Sequence, residues 1–415
     1  MAAGASKRTV VLAAGELRSR RRALAVLAFA LVLSMTTWFS ATAVIPQLRA
    51  EWGLSSTSAS WLTIAVQIGF VIGALVSSLL NLSDIVPPRL VILGGAAGAA
   101  AANALLLLAD GPALAIPVRM ATGFFLAGVY PSALKLMATW FQTGRGTALG
   151  VLVGALTLGS ALPHFVNGAG GLDWQVVIVV TSLLTIAGGV VAYAGVHDGP
   201  HPFPRAVFDP RQASRALANR GVRLASLGYF GHMWELYAMW AWFAVFFRAE
   251  LDSRGAGGGS AAAFAAFAVI GVGALGCWAG GVLGDRWGRT RTTALAMGVS
   301  GSCALLIGLL YEGPVWLVLV VGLVWGFAVV ADSAQFSTMV TELSDQAYVG
   351  TALTIQLALG FTLTVATIWL IPVLEESVGW QWAFAFLAPG PALGALAMLR
   401  LRASPEAALI AGGRG

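Results

Sequence analysis

The chain has 415 residues, of which 58% are apolar and 10% are charged. Because a soluble domain usually carries about 25% charged residues, this composition excludes a water-soluble enzyme. The net charge of +6 does not indicate a nucleic-acid partner, because the basic residues are spread over separate loops and do not share one face.

Apolar runs long enough to cross a bilayer as helices follow one another along the chain. The first run comes directly after Arg22, but it is too long for a signal peptide, lacks a small-residue cleavage site and precedes further spans. The predicted spans are 24–46, 59–82, 90–109, 113–135, 146–168, 174–195, 223–247, 260–283, 292–310, 315–340, 348–372 and 380–399. With an even number of spans, both termini are expected on the same side.

The longest polar stretch lies in the middle of the chain and contains four prolines and four arginines. It divides the spans into two equal sets. We therefore predict an N-terminal six-helix bundle at 1–196, a cytoplasmic linker at 197–222 and a C-terminal six-helix bundle at 223–415.

The distribution of basic residues predicts the orientation in the membrane. If the N-terminus is cytoplasmic, all Lys and Arg residues except Arg49, Arg248, Arg254 and the intramembrane Arg119 fall on the cytoplasmic side, as the positive-inside rule requires. We expect a multi-pass protein of the bacterial cytoplasmic membrane with both termini in the cytoplasm, and therefore a lipid bilayer as a partner.

Residues 281–291 read GVLGDRWGRTR, in the short connection between predicted spans eight and nine. This segment resembles the signature loop of the major facilitator superfamily, GxxxDRxGRxR. Residues 119–131, RMATGFFLAGVYP, are similar to the arginine-containing motif of that family in span four. The resemblance covers nearly the whole chain. It implies an all-α integral membrane protein, with twelve transmembrane helices in two pseudo-symmetric six-helix bundles that work by alternating access.

Within the superfamily, residues 130–135 and the glycine series of span five are similar to those of nitrate/cyanate and organic-anion porters. A nitrate porter is also expected to carry arginines in spans two and eight, and none is seen there. Span five lacks the Gly-Pro and paired glycines expected of proton-driven drug exporters, which argues modestly against drug efflux.

Charges at the helix ends of the signature loop suggest a conformational latch. A carboxylate there can meet the N-terminus of a neighbouring helix, and the arginines can meet carbonyls or acids. The first-half copy, residues 80–89, departs from the family pattern at several positions. The predicted latch residues are Asp84, Arg89, Asp285, Arg286, Gly288 and Arg289. The alternative is that the arginines serve only to set the orientation.

Ionisable residues inside predicted spans are costly and are usually functional. Arg119 in span four is predicted to attract an anion, while Glu235 in span seven and Asp332 in span ten are predicted to carry protons. His232 lies three residues before Glu235, on the same helix face, so a His-Glu pair is a candidate proton site. A purely structural pairing is the alternative.

Polar side chains at comparable depth complete the predicted substrate site. Gln67, Gln335 and Gln356 could hydrogen-bond a polar solute, together with Arg119 and His232, although weak interhelical bonding is an equally reasonable role for amides. We therefore predict a secondary active transporter of a small polar solute, an organic or inorganic anion, with proton coupling.

Two other functions stay open. A proton-driven exporter of cationic or amphipathic compounds would use the same carboxylates, and a receptor could keep the bundle without transport. An enzyme is not expected, because no phosphate-binding loop, nucleophile elbow or metal-ligand spacing is visible. We expect no cofactor and no metal, a small molecule or ion and protons as ligands, no nucleic acid, and a monomer.

Overall fold

The computed structural model describes residues 2–141, 144–169, 173–201, 210–255, 257–345 and 348–415. Every regular element within these ranges is a helix. We number the long helical segments α1 to α12 in chain order, counting two helices joined through a short break as one segment. Their bounds are α1 Ala2–Ser34 (continued by Ile45–Trp52), α2 Ser56–Leu79, α3 Pro88–Leu108, α4 Pro112–Ala138, α5 Arg145–Gly168, α6 Trp174–Gly195, α7 Arg220–Asp252, α8 Gly259–Trp287, α9 Arg289–Leu309, α10 Val315–Leu343, α11 Val349–Val378 and α12 Trp380–Arg402.

Most of these helices can span a membrane by length and composition. In the described ranges, 10 helices meet both conditions, and α1 brings the number to 11 when its two bent parts are taken as one span. Helix α7 has 33 residues, about 50 Å at 1.5 Å per residue, so it is also long enough. It is less apolar because it carries charges at both ends and Glu235 at its centre. The predicted all-helical membrane fold is therefore confirmed.

Several of the twelve segments are interrupted by short breaks, and two of these breaks, in α1 and α10, contain polar or charged residues. Short 3-10 turns, Met35–Thr37 and Thr42–Val44, flank the break of α1. With these turns included, its two parts are Leu17–Thr37 and Thr42–Trp52, and their axes differ by 49°. Helix α10 is interrupted at Asp332, which separates Val315–Ala331 from Ser333–Leu343. A break leaves backbone groups without their intrahelical partners, so side chains of other helices are needed there.

Glycines bring several helix backbones into direct contact. A Cβ atom added at Gly69 of α2 would meet the carbonyl of Met120 in α4, and one added at Gly123 of α4 would meet the backbone of α2. In the same way, a Cβ atom at Gly280 of α8 would meet the carbonyl of Ala331 in α10. Small residues at such contacts allow the close helix packing that stabilises membrane bundles.

We refer to α1–α6 as the first half and to α7–α12 as the second half. The end of the bundle that carries the chain termini is called the terminal end, and the opposite end is called the far end. The predicted linker, 197–222, contains the short helix Ala213–Ala218, whereas residues 202–209 lie outside the described ranges. The domain boundaries remain a prediction.

The two halves contact each other at both ends. At the terminal end, Ser78 Oγ of α2 lies 3.4 Å from Thr354 Oγ1 of α11. Toward the far end, the ring of Phe165 in α5 packs against Phe264 of α8, with centroids 5.7 Å apart. The two halves are therefore in contact both at the terminal end and toward the far end.

Candidate functional site

A buried carboxylate lies at the centre of α7. Glu235 is 1% exposed, and its two oxygens accept hydrogen bonds from Ser300 Oγ of α9 at 2.8 Å and from Trp325 Nε1 of α10 at 2.7 Å. Both donors are neutral, and Glu235 has no Lys or Arg partner among the ion pairs of the described residues. Holding a charge here without a cation is costly.

A second carboxylate, Asp332, lies at the break of α10. Its Oδ1 atom is 2.8 Å from Nδ1 of His232 in α7, although their alignment is not that of a regular hydrogen bond. The other ring nitrogen, Nε2, is 2.8 Å from Ser333 Oγ. His232 therefore contacts α10 and has no described bond to Glu235, which corrects the expected His-Glu pair. The break brings both Asp332 and Ser333 to the histidine.

Arg119 of α4 is fully buried and donates from all three guanidinium nitrogens. Its acceptors are the carbonyls of Leu62 (3.3 Å), Thr37 (3.0 Å) and Trp38 (2.5 Å), Ser40 Oγ (3.1 Å) and Asn103 Oδ1 (2.9 Å). All of them belong to the first half, and several lie in the break of α1. The structure therefore does not bring Arg119 together with Glu235 and Asp332.

Aromatic rings from both halves fill the middle of the bundle. The rings of Trp38 and Phe70, from the first half, have centroids 4.8 Å apart. Tyr237 and Phe361, from the second half, are 5.2 Å apart, and Phe361 lies 4.7 Å from Phe70. We call these four residues the central aromatic cluster. All four are buried, so the cluster is a shared surface between the halves.

Polar atoms without partners lie on the helices that carry this cluster. Gln67 is fully buried, and both of its amide atoms lack a hydrogen bond with any described residue. It lies three residues before Phe70, on the same face of α2. Nε2 of Gln356 in α11 and the indole nitrogens of Trp38 and Trp240 are likewise unpaired. Leaving such atoms unpaired costs about 1–3 kcal/mol each, so they are open hydrogen-bonding positions for a ligand or water.

The third predicted amide, Gln335, lies elsewhere. Its Oε1 atom accepts a hydrogen bond from Arg289 Nη1 at 2.8 Å, and its Nε2 atom donates to the Gly280 carbonyl at 3.2 Å. Gln335 therefore belongs to a charged network at the terminal end and is not grouped with Gln67 and Gln356.

This network is centred on Arg289 at the start of α9. Its Nε and Nη2 atoms donate to the two oxygens of Glu342 at 3.0 and 2.9 Å, which is the strong two-bond geometry of an arginine-carboxylate pair. Its Nη1 atom lies 3.3 Å from Asp285 Oδ1. Asp285 Oδ2 in turn accepts from Thr147 Oγ1 of the first half at 3.1 Å. We call Asp285, Arg289, Gln335 and Glu342 the terminal network.

The other predicted latch residues take different positions. Gly288 joins α8 to α9 with a φ of 95°, a conformation that favours glycine. Arg286 is exposed, and the guanidinium of Arg89 lies 5.4 Å from the ring centroid of Tyr193. The side chain of Asp84 lies outside the described part of the structure. Of the predicted latch residues, the structure therefore joins Asp285 and Arg289 directly.

Several residues of the site were not predicted from sequence. Ser300 and Trp325 bind Glu235, Asn103 binds Arg119, and Glu342 and Thr147 bind the residues of the signature loop. An acid at the terminal end of span ten, facing a loop rich in arginine, could have identified Glu342. The others carry no sequence signal, because hydroxyl, indole and amide groups are common in membrane helices.

Membrane-spanning helices, carboxylates buried at their centre and a polar network between two halves are the features of a membrane transporter. Residues 27–352 match the family model described as Major Facilitator Superfamily, and the chain therefore belongs to the major facilitator superfamily. This membership makes it a secondary transporter in a lipid bilayer, with a small-molecule substrate and without enzymatic activity.

Among the proteins that are similar to this chain are an export protein and a solved transporter. The Cephamycin export protein CmcT of Amycolatopsis lactamdurans is 30% identical over 212 residues, which are 48% of this chain and 43% of that protein. A bacterial homologue of the human lysosomal transporter Spinster, solved in an inward-facing and unoccupied conformation, has a TM-score of 0.63 at 14% identity, over 93% of this chain and 96% of that one. The second similarity supports the fold alone.

Proposed function

We propose that this protein is a proton-coupled exporter of a small amphipathic solute, with the terminal end facing the cytoplasm. The observation that carries this proposal is the central aromatic cluster. Trp38, Phe70, Tyr237 and Phe361 come from both halves, and unpaired neutral groups lie on the same helices. Such a surface suits a solute with an apolar or ring-containing body and a few hydrogen-bonding groups.

An anionic solute, the expectation from Arg119, is less well supported. Each guanidinium nitrogen of Arg119 already donates to at least one protein acceptor, so an anion would have to displace backbone carbonyls of the first half. Gln67 and Gln356 are neutral and favour no sign of charge. The cationic or amphipathic class is the one that the aromatic rings accommodate, because a ring face attracts a cation.

Proton coupling is assigned to Glu235 and Asp332. Neither carboxylate has a Lys or Arg partner among the described residues, and each is 1% exposed. Their burial makes the ionised form costly, so binding a proton changes the electrostatic energy of this region more than it would in water. Because Asp332 lies at the break of α10 and contacts His232 of α7, its neutralisation would alter the contact between these two helices.

The direction and orientation are also part of the proposal. Export agrees with the name of the cephamycin export protein, although the match spans less than half of that relative. The excess of Lys and Arg in the loops at the terminal end favours a cytoplasmic location of that end in a bacterial membrane. We further propose that the monomer is the working unit, as the resemblance to the superfamily implies.

The experiment is transport in proteoliposomes with an imposed pH gradient. A lipophilic cation and a neutral amphipathic compound are compared as substrates, with nitrate and a small carboxylate as competitors. We expect gradient-driven transport of an amphipathic compound that the two anions do not inhibit. Equal transport with and without the gradient would remove the proton coupling, and inhibition by the anions alone would favour the anion prediction.

Carboxylate variants test the coupling residues in the same vesicles. Glu235→Gln and Asp332→Asn are expected to abolish gradient-driven transport while solute-for-solute exchange continues, because only the proton site is removed. Glu376→Gln is the matched control, since Glu376 is exposed near the far end of α11. Full gradient-driven transport by both Glu235→Gln and Asp332→Asn would reject the assigned proton role.

A further inference from the structure

The chain that follows α12 folds back onto the bundle. Residues 405–415, here called the tail, begin with the 3-10 helix Pro405–Leu409. Ile410 is fully buried in an apolar cluster that also contains Val222 of α7 and Leu343 of α10. The tail is therefore anchored in the second half by an apolar residue.

Polar bonds join the tail to the terminal network. Nη1 of Arg414 donates to the backbone carbonyl of Asp285 at 2.7 Å. The backbone N–H of Ala411 donates to Oε2 of Glu342 at 3.2 Å, the carboxylate that also holds Arg289. Two acids of the terminal network are therefore in direct contact with the tail.

The backbone of the α8–α9 connection is shaped to receive the tail. The Thr290 N–H donates to the Gly415 carbonyl at 3.3 Å. A Cβ atom at Gly288 would collide with the carbonyl oxygens of Arg414 and Gly415, so only glycine leaves room for the tail there. The signature loop and the tail therefore fit each other closely.

The tail also borders the seam between the halves. A cleft of about 320 Å³ opens beside the terminal network, with Gly144 of the first half among its lining residues and Ala411, Gly412 and Arg414 of the tail among the others. Across the same seam, Thr147 donates to Asp285. Alternating access requires this seam to open, which separates Thr147 from Asp285.

We propose that the tail is a conformational strap that favours the state closed at the terminal end. When docked, it holds Asp285 in a position to bind Thr147 of the first half, and it holds the carboxylate of Glu342 in a position to bind Arg289. When released, it leaves these groups free to move, and the contact with the first half weakens. This proposal depends on alternating access and is independent of the solute.

The turn that carries Ala411 provides a pair of opposite substitutions. Ala411 has a φ of 50°, a left-handed conformation that glycine adopts readily and proline cannot adopt. Ala411→Pro also removes the N–H that binds Glu342, so it should release the tail. Ala411→Gly keeps this N–H and should favour docking. Arg414→Ala removes one bond without changing the backbone.

The experiment measures closure at the terminal end by disulfide cross-linking of Ser78→Cys with Thr354→Cys, whose hydroxyl oxygens are 3.4 Å apart across the halves. The native Cys277 and Cys303 are buried and are kept in every variant. We expect Ala411→Pro and Arg414→Ala to slow cross-linking severalfold, and Ala411→Gly to leave it unchanged or faster. Leu409→Ala, at a tail position that is 62% exposed, is the control and should not change the rate.

Unchanged cross-linking in both Arg414→Ala and Ala411→Pro would overturn the proposal. An equal slowing by Ala411→Gly and Ala411→Pro would also overturn it, because the effect would then follow from any change at that position. If Ala411→Pro fails to fold, the rate for Arg414→Ala decides alone, since that substitution shortens one side chain only. None of these outcomes depends on the solute or on Glu235.

Discussion

Replacing Arg119 separates a structural role of this residue from an anion-binding one. Arg119→Gln removes the hydrogen bonds to the backbone carbonyls of Thr37, Trp38 and Leu62. Arg119→Lys keeps the charge but lacks the planar fork that reaches several acceptors at once. If Arg119 closes the break of α1, both variants should be destabilised.

The expected loss follows from the number of bonds. A hydrogen bond between membrane helices contributes about 0.6 kcal/mol on average and up to about 1.7 kcal/mol. The three carbonyl bonds of Arg119 therefore correspond to about 2–5 kcal/mol of unfolding free energy by the same scale. Arg119→Lys should lose part of this amount, because its three N–H donors share one nitrogen atom and lack the spread of the planar guanidinium fork.

The assay is reversible unfolding in mixed micelles, combined with binding of nitrate and a small carboxylate to the folded protein. Arg400→Gln, at an exposed arginine near the end of α12, is the control and should leave the unfolding free energy unchanged. The structural interpretation is refuted if Arg119→Gln unfolds like the parent protein but loses anion binding that Arg119→Lys retains.

Two further substitutions test the packing and the terminal network. Gly123→Ala places a methyl group against the backbone of α2 and should lower the thermal midpoint of unfolding in detergent. Gly94→Ala is the control, because a Cβ atom there meets no atom within 4 Å. Equal midpoints for the two variants would contradict the glycine argument. Arg289→Lys loses its two-bond pair with Glu342 and should slow the cross-link at the terminal end, and the exposed Arg291→Lys should not. A rate unaffected by Arg289→Lys would show that this pair does not hold the end closed.

The membrane spans could be predicted from sequence because span length and hydropathy are local properties. Even α7 was predicted, although its charged ends and Glu235 lower its hydropathy. The break in α1 was not predicted, because the groups that support it, Leu62, Asn103 and Arg119, come from distant parts of the chain. A local pattern contains no information about such partners.

The sequence indicated charged residues inside the spans but not their contacts. Counting residues along a helix predicts a central depth for Glu235 and Asp332, and both side chains are buried in the protein. Spacing within α7 favoured a bond between His232 and Glu235, but each side chain found its partner on another helix. Gln335 illustrates the same limit, because its rotation about α10 directs it to Arg289. The assignment of these residues to substrate and protons remains a prediction.

The close backbone contact at Gly280 gives α8 and α10 little freedom to slide past each other. Gly280 touches the carbonyl of Ala331, the residue before Asp332, and its own carbonyl accepts a hydrogen bond from Gln335, which also holds Arg289. A shift of the chain at Asp332 would therefore be transmitted along α8 to Gly288, which lies eight residues beyond Gly280 and roughly 12 Å nearer the membrane surface at 1.5 Å per residue. A movement at Asp332 and the opening of the terminal end are therefore coupled through contacts that lie within the second half.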